Sequence, residues 1–94
     1  MSDGELNVSI KRVTTSHSSV AIDWSNDPGA ARVSVVKPEG RGERTLVERS
    51  DQPLPTHLDD PHLSRGKHTY IITNWDSADE SGSSGQAYVT VELH

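Results

Sequence analysis

The stretch that most limits what this chain can become is 63–76, LSRGKHTYIITNWD. Gly66 marks a turn, because glycine takes positive φ at no steric cost. Beyond it, His68, Tyr70 and Ile72 fall on one side of an extended chain, and Thr69, Ile71, Thr73 and Trp75 on the other. A two-residue period rich in β-branched and aromatic residues predicts a strand. Apolar groups stand on both sides, which predicts a central strand covered on much of each face. A second β run, 86–93, follows a loop rich in Gly, Ser and acid.

The rest of the chain supplies partners for this pair. Leu6, Val8 and Ile10 alternate with Asn7, Ser9 and Lys11, which predicts a first strand there and a polar connection over 14–19. Val20, Ile22 and Trp24 share one face of a second strand, and the turn Asn26-Asp27-Pro28-Gly29 follows. A third strand is expected over 31–37, with Ala31, Val33 and Val35 on one face and Arg32, Ser34 and Val36 on the other. Pro38 is expected to end it, since proline donates nothing to a ladder. The charged run 43–49 suits a sheet edge. Residues 56–58 make a short strand before Asp59-Asp60-Pro61. No segment has a 3.6-residue apolar period, so no long helix is expected. Without internal repeat or linker, 1–94 reads as a single domain with its core at about 5–93. Short strands punctuated by turns predict an all-β sandwich or small barrel.

Composition narrows the function. Val, Ile and Leu make up 19 of 94 residues, and Phe is absent, so the core must be thin. The formal net charge of −5 argues against nucleic acid, whose phosphates attract clustered Lys and Arg. It argues equally against an anionic membrane surface, and no apolar run approaches the ~20 residues of a spanning helix. With no cysteine, disulfide and thiol chemistry are excluded. Met1-Ser2-Asp3-Gly4 lacks a basic and an apolar region, so no signal peptide is expected.

Three pieces together resemble a fibronectin type III or related immunoglobulin-like domain. Ser19-Val20-Ala21-Ile22-Asp23-Trp24 is similar to the family's B strand, whose Trp fills the core. Ala31-Arg32-Val33-Ser34-Val35-Val36 stands where its C strand stands. Leu63-x-x-Gly66 followed by His68-Thr69-Tyr70-Ile71-Ile72 resembles its E–F corner and F strand. The family usually has Tyr at the corner; here the spacing gives that place to His68, with Tyr70 two residues on. The resemblance implies a seven-stranded antiparallel β-sandwich with A, B and E on one sheet and C, C′, F and G on the other.

Catalytic signatures are missing. The five histidines show no HxH or HExxH spacing. His57 and His62 flank Asp59-Asp60, but a solvated, proline-bent loop explains that pattern better than a divalent ion. The acidic cluster of Asp76, Asp79 and Glu80 lacks EF-hand spacing and reads as a loop kept soluble by charge rather than a calcium site. Gly82-Ser83-Ser84-Gly85 is not a nucleophile elbow. Arg41-Gly42-Glu43 carries Glu where an RGD tripeptide has Asp, and Asn7-Val8-Ser9 is a common chance match. The chain is therefore read as a non-enzyme with no cofactor and no metal.

What remains is a face. Pairing the last two strands by their inward residues sets Ile72 against Val89, Tyr70 against Val91 and Asn74 against Ala87. The outward residues Ile71, Thr73 and Trp75 then lie beside Tyr88, and the third strand adds Arg32 and Val36. Cross-strand pairing alone accounts for some outward aromatics, but Trp and Tyr are also favoured interface anchors. Arg32, Val36, Ile71, Thr73, Trp75 and Tyr88 are the expected partner-binding residues. The expected role is an interaction module on a phage virion, an accessory or decoration protein contacting a capsid or tail protein. A glycan is a possible partner, and the location is the virion surface or outside the cell. The alternative is a spacer or carbohydrate-associated module of a bacterial extracellular hydrolase.

Overall fold

The computed structural model describes residues 6–94. Seven strands form two antiparallel sheets: β1 (Ser9–Thr15), β2 (Val20–Ser25) and β5 (His57–Asp60) in the order β1-β2-β5, and β3 (Arg32–Glu39), β4 (Gly42–Arg49), β6 (Gly66–Trp75) and β7 (Ser84–Leu93) in the order β4-β3-β6-β7. This is the sheet membership that the family resemblance implies.

Alternation builds the core. Val20, Ile22 and Trp24 of β2 and Leu58 of β5 meet Val33, Val35, Tyr70, Ile72, Val89 and Leu93 of the facing sheet, all buried. Val8, Ile10, Leu46, Val47, Leu54 and Leu63 pack around its margin. Because β6 lies between β3 and β7, its residues are half-buried or better from His68 to Trp75.

Two polar devices close the ends. The Trp24 indole N–H donates to Asn26 Oδ1 (2.8 Å), which also accepts from the amide of fully buried Asn74 (2.9 Å). Asn74 Oδ1 in turn accepts from the Asp27 N–H (2.7 Å), so one side chain of β6 ties down the turn after β2. At the other end, Gly66 has φ of 114° at the entry to β6. The His68 Nε2 donates to the Ser64 carbonyl (2.7 Å), the corner role that its spacing predicted. A carbonyl only accepts, so that nitrogen carries the proton.

Several boundaries differ from the sequence reading. The first strand is displaced: Leu6 and Val8 precede β1, which runs on through Thr15. β1 is an edge strand with mostly exposed side chains, held by backbone pairing to β2, so it leaves little hydrophobic pattern to read. The expected connection over 14–19 shrinks to a turn in which the Ser16 N–H donates to the Ser19 carbonyl. Pro38 does not end β3, which continues to Glu39 beside β4. The β3–β6 ladder does stop before it, at Val36 opposite Ile71, so the missing N–H falls where no β6 partner stands.

The expected β6–β7 register is corrected by two residues. Ile72 opposes Ala87, Tyr70 opposes Val89, and Asn74 opposes Gly85. Gly85 permits the close approach of the preceding segment: a Cβ there would lie 1.7 Å from the Leu6 carbonyl oxygen.

Candidate docking face

The outer face of the four-stranded sheet is built in rows. Arg32 of β3 pairs with Trp75 and, across β6, Ser84. The next row is Glu48, Ser34, Thr73 and Gln86, and the third is Thr45, Val36, Ile71 and Tyr88. The sheet pairing thus brings the six expected partner-binding residues onto one face. They are not equally accessible. Tyr88 is 63% exposed; Val36, Ile71 and Trp75 are half-buried; Thr73 is only 3% exposed and accepts from the Gln86 amide (3.2 Å) at the base of the face.

Arg32 acts as a strut over one end. Its guanidinium reaches Glu48 of β4 (Nη2 to Oε2, 2.7 Å), Glu80 of the β6–β7 loop (Nε to Oε2, 2.8 Å) and the Ala78 carbonyl (3.1 Å). Below it, the Trp75 indole N–H is the one buried side-chain polar atom without a partner among the described residues. Between the strut and Glu43 lies a groove of about 270 Å³, floored by Ser34, Val36, Ile71 and Thr73.

A bulge decides the charge of this face. On β4, Thr45 opposes Val36 but Val47 opposes Val35, so Leu46 is the inserted residue. The insertion flips the alternation: Glu43, Thr45 and Glu48 stand on the outer face, and Arg44, Val47 and Arg49 on the side of the core. Acid therefore faces out and base faces in. Sequence reading saw only a charged strand; the bulge has no local signature in 43–49.

The other candidate groups fall elsewhere. Asp59 and Asp60 point to opposite faces, as neighbours on a strand must. Asp60 enters the interior, where Tyr70 Oη donates to Oδ2 (2.8 Å), Lys37 Nζ lies 3.3 Å from Oδ2, and Arg44 Nη2 lies 3.1 Å from Oδ1. Lys37 Nζ also stands 5.4 Å from the Tyr70 ring centroid. Burial, and then the bond to Asp60, push the Tyr70 hydroxyl well above the ordinary phenol range. This cluster was missed in the sequence, although the signal was there: Lys37 continues the inward alternation of Val33 and Val35, and Asp60 that of Leu58.

Asp59 instead faces solvent with His57, whose Nδ1 meets Asp23 Oδ1 (2.5 Å) and whose Nε2 meets Asp59 Oδ2 (3.1 Å). The bond to Asp23, then that to Asp59, raises the His57 pKa above the ordinary imidazole value. In the acidic loop the carboxylates diverge. Asp79 Oδ1 accepts from Ser77 Oγ and the Ser81 N–H, while Glu80 turns to Arg32. No group of three or more His, Asp or Glu with metal-holding geometry occurs among the described residues.

Two stacked antiparallel sheets with three and four strands define an immunoglobulin-like sandwich. The arrangement is that of the fibronectin type III fold. The human fibronectin type III domain containing protein 3 has such a domain that superposes with a TM-score of 0.58 at 15% identity, covering 100% of this chain and 92% of its own. A structure described as FN3tt mut gives 0.57 at 12% identity over 92% of this chain and 88% of its own. No protein-family model matches the sequence, and no curated protein is detectably similar to it.

Proposed function

We propose that this chain is a non-catalytic protein-interaction module that engages its partner through the outer face of the β4-β3-β6-β7 sheet. The observation that carries the proposal is the gathering of Val36, Ile71, Trp75 and 63%-exposed Tyr88 on the first and third rows of one outward surface. Aromatic anchors amid polar neighbours are the usual make-up of a docking patch. The opposite outer face offers Arg12, Thr14, Ala21, Asp23, His57 and Asp59, with no Trp or Tyr among its described paired residues. The polar groups that invite catalysis have structural work instead: His57 is bonded to Asp23 and Asp59, His68 to Ser64, and Asp60 to Tyr70.

In its finer form the proposal puts the module on a phage particle, as an accessory protein of the capsid or tail. Flanking capsid and tail genes are the expected context. A reading frame continuous with a glycosidase would instead favour the spacer module of a hydrolase. The face itself is tested with tagged protein recovered with its partner from its own host. Ile71→Ser/Tyr88→Ser should release the partner, whereas Thr14→Ser/Asp59→Asn on the other sheet should retain it. Equal retention by both variants contradicts the proposal.

A further inference from the structure

The groove on this face carries three carboxylates, Glu43, Glu48 and Glu80, against one guanidinium, Arg32. Arg32 already bridges Glu48 and Glu80, and Glu43 has no ion pair among the described residues. The basic residues of β4 do not relieve this charge, because the bulge at Leu46 turns Arg44 and Arg49 to the core side. Arg44 is spent on Asp60. The result is a floor in which Val36 and Ile71 lie beside Ser34 and Thr73, with Trp75 at one end and an acidic wall along β4.

Resting on the docking face proposed above, we infer that the groove receives an extended, lysine- or arginine-bearing segment of the partner protein. Its apolar side chains cover Val36 and Ile71, and its cations line up with Glu43 and Glu48. Charge selects this occupant over others. A second copy of the chain brings a net charge of −5 to an already acidic wall, and like charges across an interface oppose association. A polyanion is repelled for the same reason. An aromatic side chain beside carboxylates is a favourable place for a cation.

The chain supplies its own reporters, because it has two tryptophans. Trp75 lines the groove and its buried indole N–H has no partner among the described residues, whereas the Trp24 indole N–H is locked to Asn26 in the core. The test is an amide and indole NMR titration of the full chain with the peptide Lys-Val-Lys-Val-Lys, and in parallel with Glu-Val-Glu-Val-Glu, Ser-Val-Ser-Val-Ser and maltotriose. The lysine peptide should shift the Trp75 indole saturably, together with the Thr73 and Gln86 amides, and leave the Trp24 indole in place. Added salt should weaken the effect. Glu43→Gln/Glu48→Gln should weaken it about tenfold, as the loss of two rim charges allows, with amide dispersion showing that the variant is folded.

Equal shifts from the serine peptide overturn the selection for cations while leaving the docking face standing. Shifts from maltotriose alone transfer the groove to a glycan. Lysine-peptide shifts spread evenly over Asp59, Glu92 and the groove mean general charge attraction and overturn the inference. No shift at Trp75 from any probe overturns it as well, and the Ile71/Tyr88 variants then judge the face independently.

Discussion

Replacing Tyr70 with Phe deletes one oxygen from the buried cluster around Asp60, and unfolding in urea should register a loss of about 1.5 kcal/mol, the lower end for a hydrogen bond to a charged group. Lys37→Met should cost more, about 3 kcal/mol, because it leaves a carboxylate that is 4% exposed with only Arg44 as a cation. Replacing both members of the pair, Lys37→Met/Asp60→Leu, removes the unmatched charge and should cost less than Lys37→Met alone. A double variant that loses the sum of the two single effects would show that the pair is not coupled. His57 makes a different prediction. Its folded pKa is raised by Asp23 and Asp59, so its contribution is fully present below the unfolded value near 6.5 and fades as pH rises through the folded value. An NMR titration should give His57 a midpoint above the ordinary imidazole value near 6.5, and Asp23→Asn should move it down. A midpoint at the ordinary imidazole value, unmoved by Asp23→Asn, would remove the Asp23–His57 bond from the account.

At the scale of elements, the fit of β7 against the leading segment depends on Gly85. Ala there drives a methyl group into the Leu6 carbonyl, and backbone cannot yield as a side-chain tip can. Gly85→Ala should detach the segment around Leu6 and cost roughly 1–3 kcal/mol, the range for overpacking. Faster amide exchange confined to that segment and the start of β7 would show it; unchanged exchange would contradict the close packing. The strands themselves were largely legible, because Val20, Ile22 and Trp24, or Tyr70 and Ile72, declare a face by period alone. The β6–β7 register was not. A slip of two residues keeps every side chain on its own face, so Tyr70 meets an inward Val whether it opposes Val89 or Val91. A slip of one would have been visible. β1 was misplaced because an edge strand held by backbone bonds carries no apolar alternation, and the β4 bulge was invisible because no residue type in 43–49 marks it. That the six residues of the candidate docking face share one side of the sheet could be read from the sequence, but their unequal exposure and the acidic wall depend on Gln86, Arg32 and the bulge, which only the pairing reveals.

For the molecule as a whole, the net charge of −5 and the outward glutamates of β4 should keep the chain monomeric at low salt despite exposed Tyr88. Light scattering should return a mass near 10.3 kDa; a stable dimer abolished by Tyr88→Ser would make self-association the use of this face. The two outer faces also differ in chemistry, one aromatic and acidic, the other polar with His57 between two carboxylates. The most direct test of that division is a photo-crosslinking amino acid placed at position 88 in one variant and at position 14 in another, each expressed in the native host. A discrete adduct from position 88 and none from position 14 is the expected result. Adducts of equal yield from both positions, or an adduct from position 14 alone, would contradict the assignment of the docking face.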